Sequence, residues 1–390
     1  MKQTQRLGRI DIRLLVLTIG LILIVAALTA ITTRSAVAAP SSQGEPDNEF
    51  CLGCHSNPAM SKAFPNGDVL SLYIDSAKFT QAVHWQEGIA CVTCHMAMEQ
   101  VPHPELTAQT KRDAKYQLYT ICQECHFEQY NNVLDSVHQT ALAGGNKNAA
   151  ICTDCHNPHT QTRITNKETG EILLSAHLAI PQTCAQCHSA IYDAYKESVH
   201  GKALTEYGNL DVPTCIDCHG VHNIQDPTTA LFRNDTPLLC AKCHTNETLM
   251  EKYGISTNVL STYVADFHGT TVTLFEETNP NLPTNKPVCT DCHGIHDIKN
   301  VNDPTTGIAL KKNLLVKCQR CHPDATANFP DSWMSHYQPS AEVYPIVYFV
   351  NLFYKILIPT VLGGMGLFVL TDIYRRFIAP RIFRKKEGSH

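Results

Sequence analysis

Cysteine is missing from this chain everywhere except in one repeated arrangement. All 18 cysteines fall into nine copies of Cys-x-x-Cys-His, and none is left over. An excess of positive charge is missing too. With 31 Lys and Arg against 36 Asp and Glu, the formal net charge is −5, which disfavours nucleic-acid binding. Apolar residues are thin where an ordinary core would need them: the overall 43% is weighted towards two terminal segments. The middle of the chain is rich in Pro, Asn, Asp, Thr and Gly, the residues of turns and loops.

What is present is therefore the motif. Its thiols are Cys51 and Cys54, Cys91 and Cys94, Cys122 and Cys125, Cys152 and Cys155, Cys184 and Cys187, Cys215 and Cys218, Cys240 and Cys243, Cys289 and Cys292, and Cys318 and Cys321. The histidines that follow are His55, His95, His126, His156, His188, His219, His244, His293 and His322. In this spacing each thiol adds across a haem vinyl group, and the adjoining histidine becomes the proximal iron ligand. Paired cysteines also build zinc sites and disulfide frameworks. Neither alternative explains why histidine follows the second cysteine nine times in nine, when only 20 of 390 residues are histidine. The cofactor reading is nine covalent c-type haems, and the net charge becomes more negative once their propionates are counted.

Across residues 51–322 that means one haem for about every 30 residues. Porphyrin faces then replace Leu and Phe as packing material. The expected fold class is mainly α, with short motif-bearing helices, extensive irregular loops and almost no sheet. One elongated body over 39–340, built round a haem stack, is expected in place of the two or three domains that length alone suggests.

The ends read as membrane segments. Residues 14–31 are apolar and follow Lys2, Arg6, Arg9 and Arg13; the sequence AVAAP then offers a cleavage site after Ala38. Residues 1–38 are thus a signal peptide or an N-terminal membrane anchor. Either one places the haem region outside the cytoplasm. Near the other end, residues 358–374 lie between Lys355 and a cluster of Arg375, Arg376, Arg381, Arg384, Lys385 and Lys386. This is the pattern of a transmembrane helix with a basic cytoplasmic tail over 375–390. The aromatic stretch 344–354 reads as an interfacial collar before it. Gly363, Gly364 and Gly366 are either a close-packing face for a partner helix or ordinary membrane glycine.

A six-coordinate haem needs a second axial ligand, and eleven histidines stand outside the motifs. His159, His222 and His296 each trail a motif as Cys-His-x-x-His, and His138 and His200 each sit twelve residues beyond a motif histidine. His268 and His336 hold the matching place later, and His84 and His103 belong to the first repeat. The period is a two-haem unit of motif, helix ending in His, loop, motif and trailing His. Four such units run over 51–103, 122–159, 184–222 and 240–296, with a half unit over 318–336. The candidate distal ligands are therefore His84, His103, His138, His159, His200, His222, His268, His296 and His336, one per iron. A trailing histidine lies on the same side of the porphyrin as its own proximal ligand, so it must serve a neighbour. The expected neighbour is the first haem of its own unit, which leaves the other histidine for the second. In the first unit His103 trails by eight residues, with Met96 and Met98 between as alternative ligands. His177, Arg233 and Lys311 each lie seven residues before a motif and are candidate propionate contacts, or else solvated positions. His390 has no assigned role.

The nine motifs, the SVHG and CHGxH signatures and the membrane tail resemble multihaem c-type cytochromes. They are similar to the cytochrome c554 and hydroxylamine-oxidoreductase-like groups and to quinol-linked electron conduits. The resemblance covers about residues 51–340. It implies bis-histidine ligation, stacked haems of low potential, and a cytochrome b-type or other quinol-oxidising membrane partner. The expected function is electron relay from the cytoplasmic membrane, as part of a respiratory chain, to a periplasmic or extracellular acceptor. The chain would be a carrier subunit with no catalytic residue of its own. The Cys-x-x-Cys-Lys variant of nitrite-reducing relatives is absent. A nitrite- or hydroxylamine-type reductase with one open haem, and a filament subunit, stay as alternatives.

Overall fold

The computed structural model describes residues 47–379 apart from Met334. The expected leader or anchor, the basic residues from Arg381 onward and His390 lie outside the described residues.

The described chain is mainly helical, with irregular connections. Its one sheet is a hairpin of two three-residue strands, Ser61–Ala63 and Val69–Ser71, paired antiparallel with Ser61 opposite Ser71. Buried apolar residues are few and scattered. Leu52, Phe79 and Ala82 form one small cluster, and Phe64, Ala108 and Ala114 another. Deeper in the chain Leu204, Val272 and Val288 are buried. These clusters are too small to carry the fold, as the turn-rich composition implies.

The two motifs of a unit are held in different ways. A first motif sits at the C-terminal end of a longer helix: Asn48–His55, Leu174–Ala185, Thr236–His244 and Lys311–Gln319. In the second unit a 3-10 turn, Tyr119–Glu124, takes that place after helix Lys111–Leu118. A second motif opens a single turn of its own: Cys91–Cys94, Cys152–Cys155, Cys215–His219 and Cys289–His293. Three of these turns carry Asp at the third position, and its carboxylate accepts the backbone N–H of the N-cap residue. The pairs are Asp154 with Ile151, Asp217 with Thr214 and Asp291 with Val288. An acidic group is favoured there because it meets unpaired amides and the positive end of the helix dipole.

The histidine between the two motifs departs from expectation. It does not end a helix; the chain breaks before it and a new helix begins. Ser136, Ser198 and Asp266 are the N-caps of helices Val137–Ala143, Val199–Thr205 and Phe267–Thr278. Each cap is extended and accepts a backbone N–H with its side chain, and His138, His200 and His268 fall at the second helical position. The short polar side chain before Val-His thus punctuates the helix, which a reading of helical periodicity overlooks.

The new helix then passes very close to the preceding one. A Cβ on Gly201 would overlap the backbone carbonyl of Tyr195, and one on Gly269 the carbonyl of Tyr263. This is why glycine follows the histidine in these two units. Both tyrosines turn inward, where Tyr195 Oη donates to the Pro213 carbonyl at 2.8 Å and Tyr263 Oη to Pro287 at 2.9 Å. Each therefore ties the first half of its unit to the proline two residues before the second motif.

The units are stitched to one another by a recurring long-range bond. Val83, Val137 and Val199, each one residue before a candidate distal histidine, donate their N–H to the carbonyls of Gln161, Ile224 and Ile298, all at 2.8 Å. Each acceptor lies two residues beyond the trailing histidine of the following unit.

The C-terminal segment is one helix, Pro345–Ile373, with a π turn over Tyr374–Ile378. From Pro345 the aromatic stretch 344–354 is the first part of this same helix.

The glycine contact makes a direct prediction. Gly201→Ala should destabilise the protein by about 1–3 kcal/mol, the usual range for overpacking. Thermal denaturation followed by circular dichroism would read it, and an unchanged midpoint would mean that the contact is unimportant.

Candidate haem-binding sites

The structure sets every motif histidine opposite one non-motif histidine. The ring centres are 6.3 Å apart for His55 and His103, 6.0 Å for His95 and His159, and 6.2 Å for His126 and His84. They are 6.2 Å apart for His156 and His222, 6.2 Å for His188 and His138, and 6.0 Å for His219 and His296. The last three pairs are His244 with His200 at 6.3 Å, His293 with His336 at 6.3 Å and His322 with His268 at 6.4 Å. Two imidazoles on opposite sides of one metal, each at a metal–nitrogen distance of about 2.0–2.1 Å, have ring centres about 6 Å apart. The spacing of every pair therefore fits an iron between the rings.

The partners are not those expected from the order of the repeat. Only His103 faces the first motif of its own unit. His159, His222 and His296 each face the second motif of the preceding unit, as His336 does from the half unit. His84, His138, His200 and His268 each face the first motif of the following unit. Histidines are thus exchanged across unit boundaries in both directions. The stitches explain the exchange: each holds the break before one histidine beside the loop that carries the trailing histidine of the next unit.

The attachment positions follow the same order. The first thiols of the two motifs in a unit lie next to one another, Cys51 by Cys91, Cys122 by Cys152, Cys184 by Cys215 and Cys240 by Cys289. Across unit boundaries Cys94 lies near Cys122, Cys155 near Cys184, Cys218 near Cys240 and Cys292 near Cys318. The nine motifs therefore form a consecutive series along the chain. A zinc reading would need four ligands round one point. Among the described residues no three His, Cys, Asp or Glu side chains converge in that way, and no two cysteines are joined in a disulfide.

Several rings are prepared for coordination through one nitrogen. The Nδ1 atoms of His55, His84 and His103 donate to the carbonyls of Leu72 at 2.8 Å, Pro158 at 3.1 Å and Gln100 at 2.7 Å. His336 Nδ1 lies 3.3 Å from Thr262 Oγ1, and His268 Nδ1 3.3 Å from Asp266 Oδ1. A partner on Nδ1 leaves Nε2 free for a metal and fixes the ring plane. Burial lowers the pKa of His159, His200 and His293 to about 4, and lowers those of His95, His138, His222 and His296 as well. All are thereby neutral at pH 7, the form that binds a metal.

The candidate propionate contacts have protein partners. Arg233 donates to the carbonyls of Thr284 and Lys286 and pairs with Asp291 at 2.7 Å. Lys311 pairs with Asp331 at 2.6 Å, and His177 Nε2 donates to the Val212 carbonyl at 3.3 Å. Arg233 and His177 each brace the loop that leads into a second motif, while Lys311 ties its helix to the turn after the last motif. Arg112 has the same part in the second unit. It donates to the carbonyls of Lys147 and Ala149 and pairs with Asp154 at 2.6 Å. Sequence reading missed it because it lies ten residues before its motif, not seven. Burial alone would raise the Asp154 pKa, but bonds from Arg112, the Ile151 N–H and Lys115 outweigh it and hold the carboxyl below its ordinary value. Tyr195 and Tyr263 were missed too; the signal for both was a tyrosine five residues before the helix-borne histidine.

Arg112→Ala would leave the half-buried Asp154 short of its best partner. The expected loss is about 1–3 kcal/mol, the range for hydrogen bonds to charged groups, measured by denaturant unfolding. Arg112→Lys should recover only part of it, because an ammonium cannot reach both carbonyls and the carboxylate in a planar fork.

Residues 75–144 match the family model described as cytochrome c552, and residues 208–249 match the doubled CXXCH motif. The chain is also similar to the C-type polyheme cytochrome OmcC of Geobacter sulfurreducens, at 24% identity over 314 residues. That alignment covers 70% of this chain and 36% of OmcC, so the chain spans only about a third of the relative's length. No solved structure matches it. Family models that rest on the attachment motif, found on a chain whose every cysteine lies in that motif, lead to one conclusion: the chain is a multihaem c-type cytochrome.

Proposed function

We propose that the chain is a membrane-anchored electron relay that carries nine haems, each held by two histidines. The observation that carries this reading is the set of nine facing imidazole pairs, one for each motif, arranged as a consecutive series. Haem supplies one-electron redox chemistry when bound. The part of this chain is to hold and orient. Paired thiols would hold each attachment point, and a motif histidine together with the imidazole that faces it would hold the iron between them. Because eight of the nine second imidazoles come from a neighbouring unit, a ligand on one site is tied mechanically to the next. That limits changes in geometry between redox states and keeps the sites in fixed relation.

The helix Pro345–Ile373 supports anchoring. Its most apolar 18-residue window has a mean hydropathy of 1.9, and none of that window is buried against the rest of the chain. At 1.5 Å per residue its 29 residues extend about 43 Å, more than the roughly 30 Å of a bilayer core. Arg375 and Arg376 follow it, consistent with a cytoplasmic C-terminal end and a haem region on the opposite, periplasmic or extracellular side. The last motif is the one nearest this helix in sequence. A quinol-oxidising membrane subunit of cytochrome b type would deliver electrons there, and the first motif would pass them to a soluble or extracellular acceptor. The second axial imidazoles leave no iron open at rest, which favours a carrier over a reductase.

The test is ligand deletion. His200→Ala should leave one haem in nine high-spin, and the affected haem should be the one attached at Cys240 and Cys243, not those of the unit that contains His200. Electron paramagnetic resonance would count it, and peptide-resolved haem spectroscopy would locate it. If every haem stays low-spin, the assignment of His200 fails.

Ring orientation adds a second readout. The ring planes are within 16° for His95 with His159 and for His293 with His336, but 65° apart for His84 with His126 and 54° for His200 with His244. Near-parallel and crossed imidazoles give different low-spin resonances, so the oxidised protein should show two populations. A single uniform population would contradict this ring geometry.

A further inference from the structure

We infer that the haem at the first motif, Cys51–His55, is an exchange site for a small uncharged external ligand, with His103 as the axial group that gives way. The inference rests on the pairing of His103 with His55 proposed above, and it adds a binding activity at one end of the relay.

His103 stands apart from the other eight second-side histidines. It is exposed, whereas His84, His138, His159, His200, His222, His268, His296 and His336 are all half-buried. Its ring has one hydrogen-bond partner, the Gln100 carbonyl three residues back in the same exposed segment. The stretch from Glu99 to Gln109 contains no helix or strand. The remaining trailing histidines are secured from outside their own loops. Val83, Val137 and Val199 stitch the loops of His159, His222 and His296, and His336 reaches Thr262, 74 residues away. Among the described residues no backbone bond from a preceding unit reaches the loop of His103; its outside contacts lie downstream of the ring, where Thr107 accepts from Gln117 Nε2 at 3.2 Å and Ala108 packs with Phe64 and Ala114. The reason lies in chain order. Each stitch comes from the unit before, and the described residues ahead of Cys51 contribute none.

The opposite side of this site is firm. His55 ends a helix capped by Asp47, Leu52 of the same helix is buried against Phe79 and Ala82, and His55 Nδ1 donates to Leu72. Adjacent covalent attachment at Cys54 also keeps His55 in place. When an external donor arrives, the bond that breaks is therefore the one from His103, and the loop can swing outward into solvent. One iron–nitrogen bond is exchanged for one iron–ligand bond, with no change in electron count. The ligand class follows from charge. Glu99 and Glu105 flank His103, both exposed, so anions are repelled and neutral monodentate donors are favoured.

Carbon monoxide is a suitable probe, used on the dithionite-reduced full chain in detergent. Native protein should be all low-spin before the gas is added and should then bind one molecule per nine haems, read from the Soret difference spectrum and the CO stretching band. His103→Ala should show one high-spin haem at rest and still bind one molecule, faster than the native protein, because nothing has to be displaced. His159→Ala, which opens a stitched site, should raise the count from one to two. Native protein that stays low-spin and takes up no carbon monoxide would overturn the exchange site and leave the bis-histidine reading standing. A count of two in His103→Ala would also overturn it, since the native exchange site would then lie elsewhere. A high-spin haem in untreated native protein, or none in His103→Ala, would instead refute the His55–His103 pairing, and the inference with it.

Discussion

An imidazole three residues beyond one already committed to a metal cannot pass round the porphyrin edge to the opposite face. Such a histidine is useful only to a neighbour, and the rest of this architecture is organised by that constraint. It sends each such histidine to another site, and the structure shows the units reaching into one another in both directions. The trailing histidine goes back to the preceding unit and the helix-borne histidine goes forward to the next.

This exchange takes the place of a hydrophobic core. The apolar clusters are small, and the turn-rich middle of the chain could not be held by them alone. Order comes from devices that act over long stretches of sequence: valine amides bonded to loops of the next unit, tyrosine hydroxyls bonded to the proline two residues before a motif, and arginines braced on motif aspartates. Each is placed where a histidine or a motif turn must be steady. Glycine is required at Gly201 and Gly269 for the same reason, because only a helix without a side chain at that point can lie against its predecessor.

The two ends of the series differ in kind. At the C-terminal end the last unit is incomplete, and an exposed apolar helix follows it. At the N-terminal end the loop of His103 receives no stitch among the described residues, and His103 is the exposed one of the nine second-side histidines. Among the described motif sites that site is also the farthest along the chain from the C-terminal apolar helix.

Much of this was legible in the residues. The candidate attachment positions needed no structure, because they are read from the five-residue Cys-x-x-Cys-His spacing alone. The helical class followed from motif density and turn composition, and the nine histidines that face motif histidines are the nine singled out by their recurrence. Local sequence also showed that a trailing histidine could not serve its own iron. It could not show which neighbour would be served. That depends on bonds such as Val199 to Ile298, formed between residues 99 apart, and on a helix break at Ser198 that a hydrophobic period does not register. The same limit applied to Arg233 and Lys311, whose charge was visible but whose carboxylate partners come from distant loops or turns. Spacing within a motif is decided by covalent geometry and is local, so the sequence alone determined it. The pairing of rings is decided by how separate units pack, and only the tertiary structure determined that.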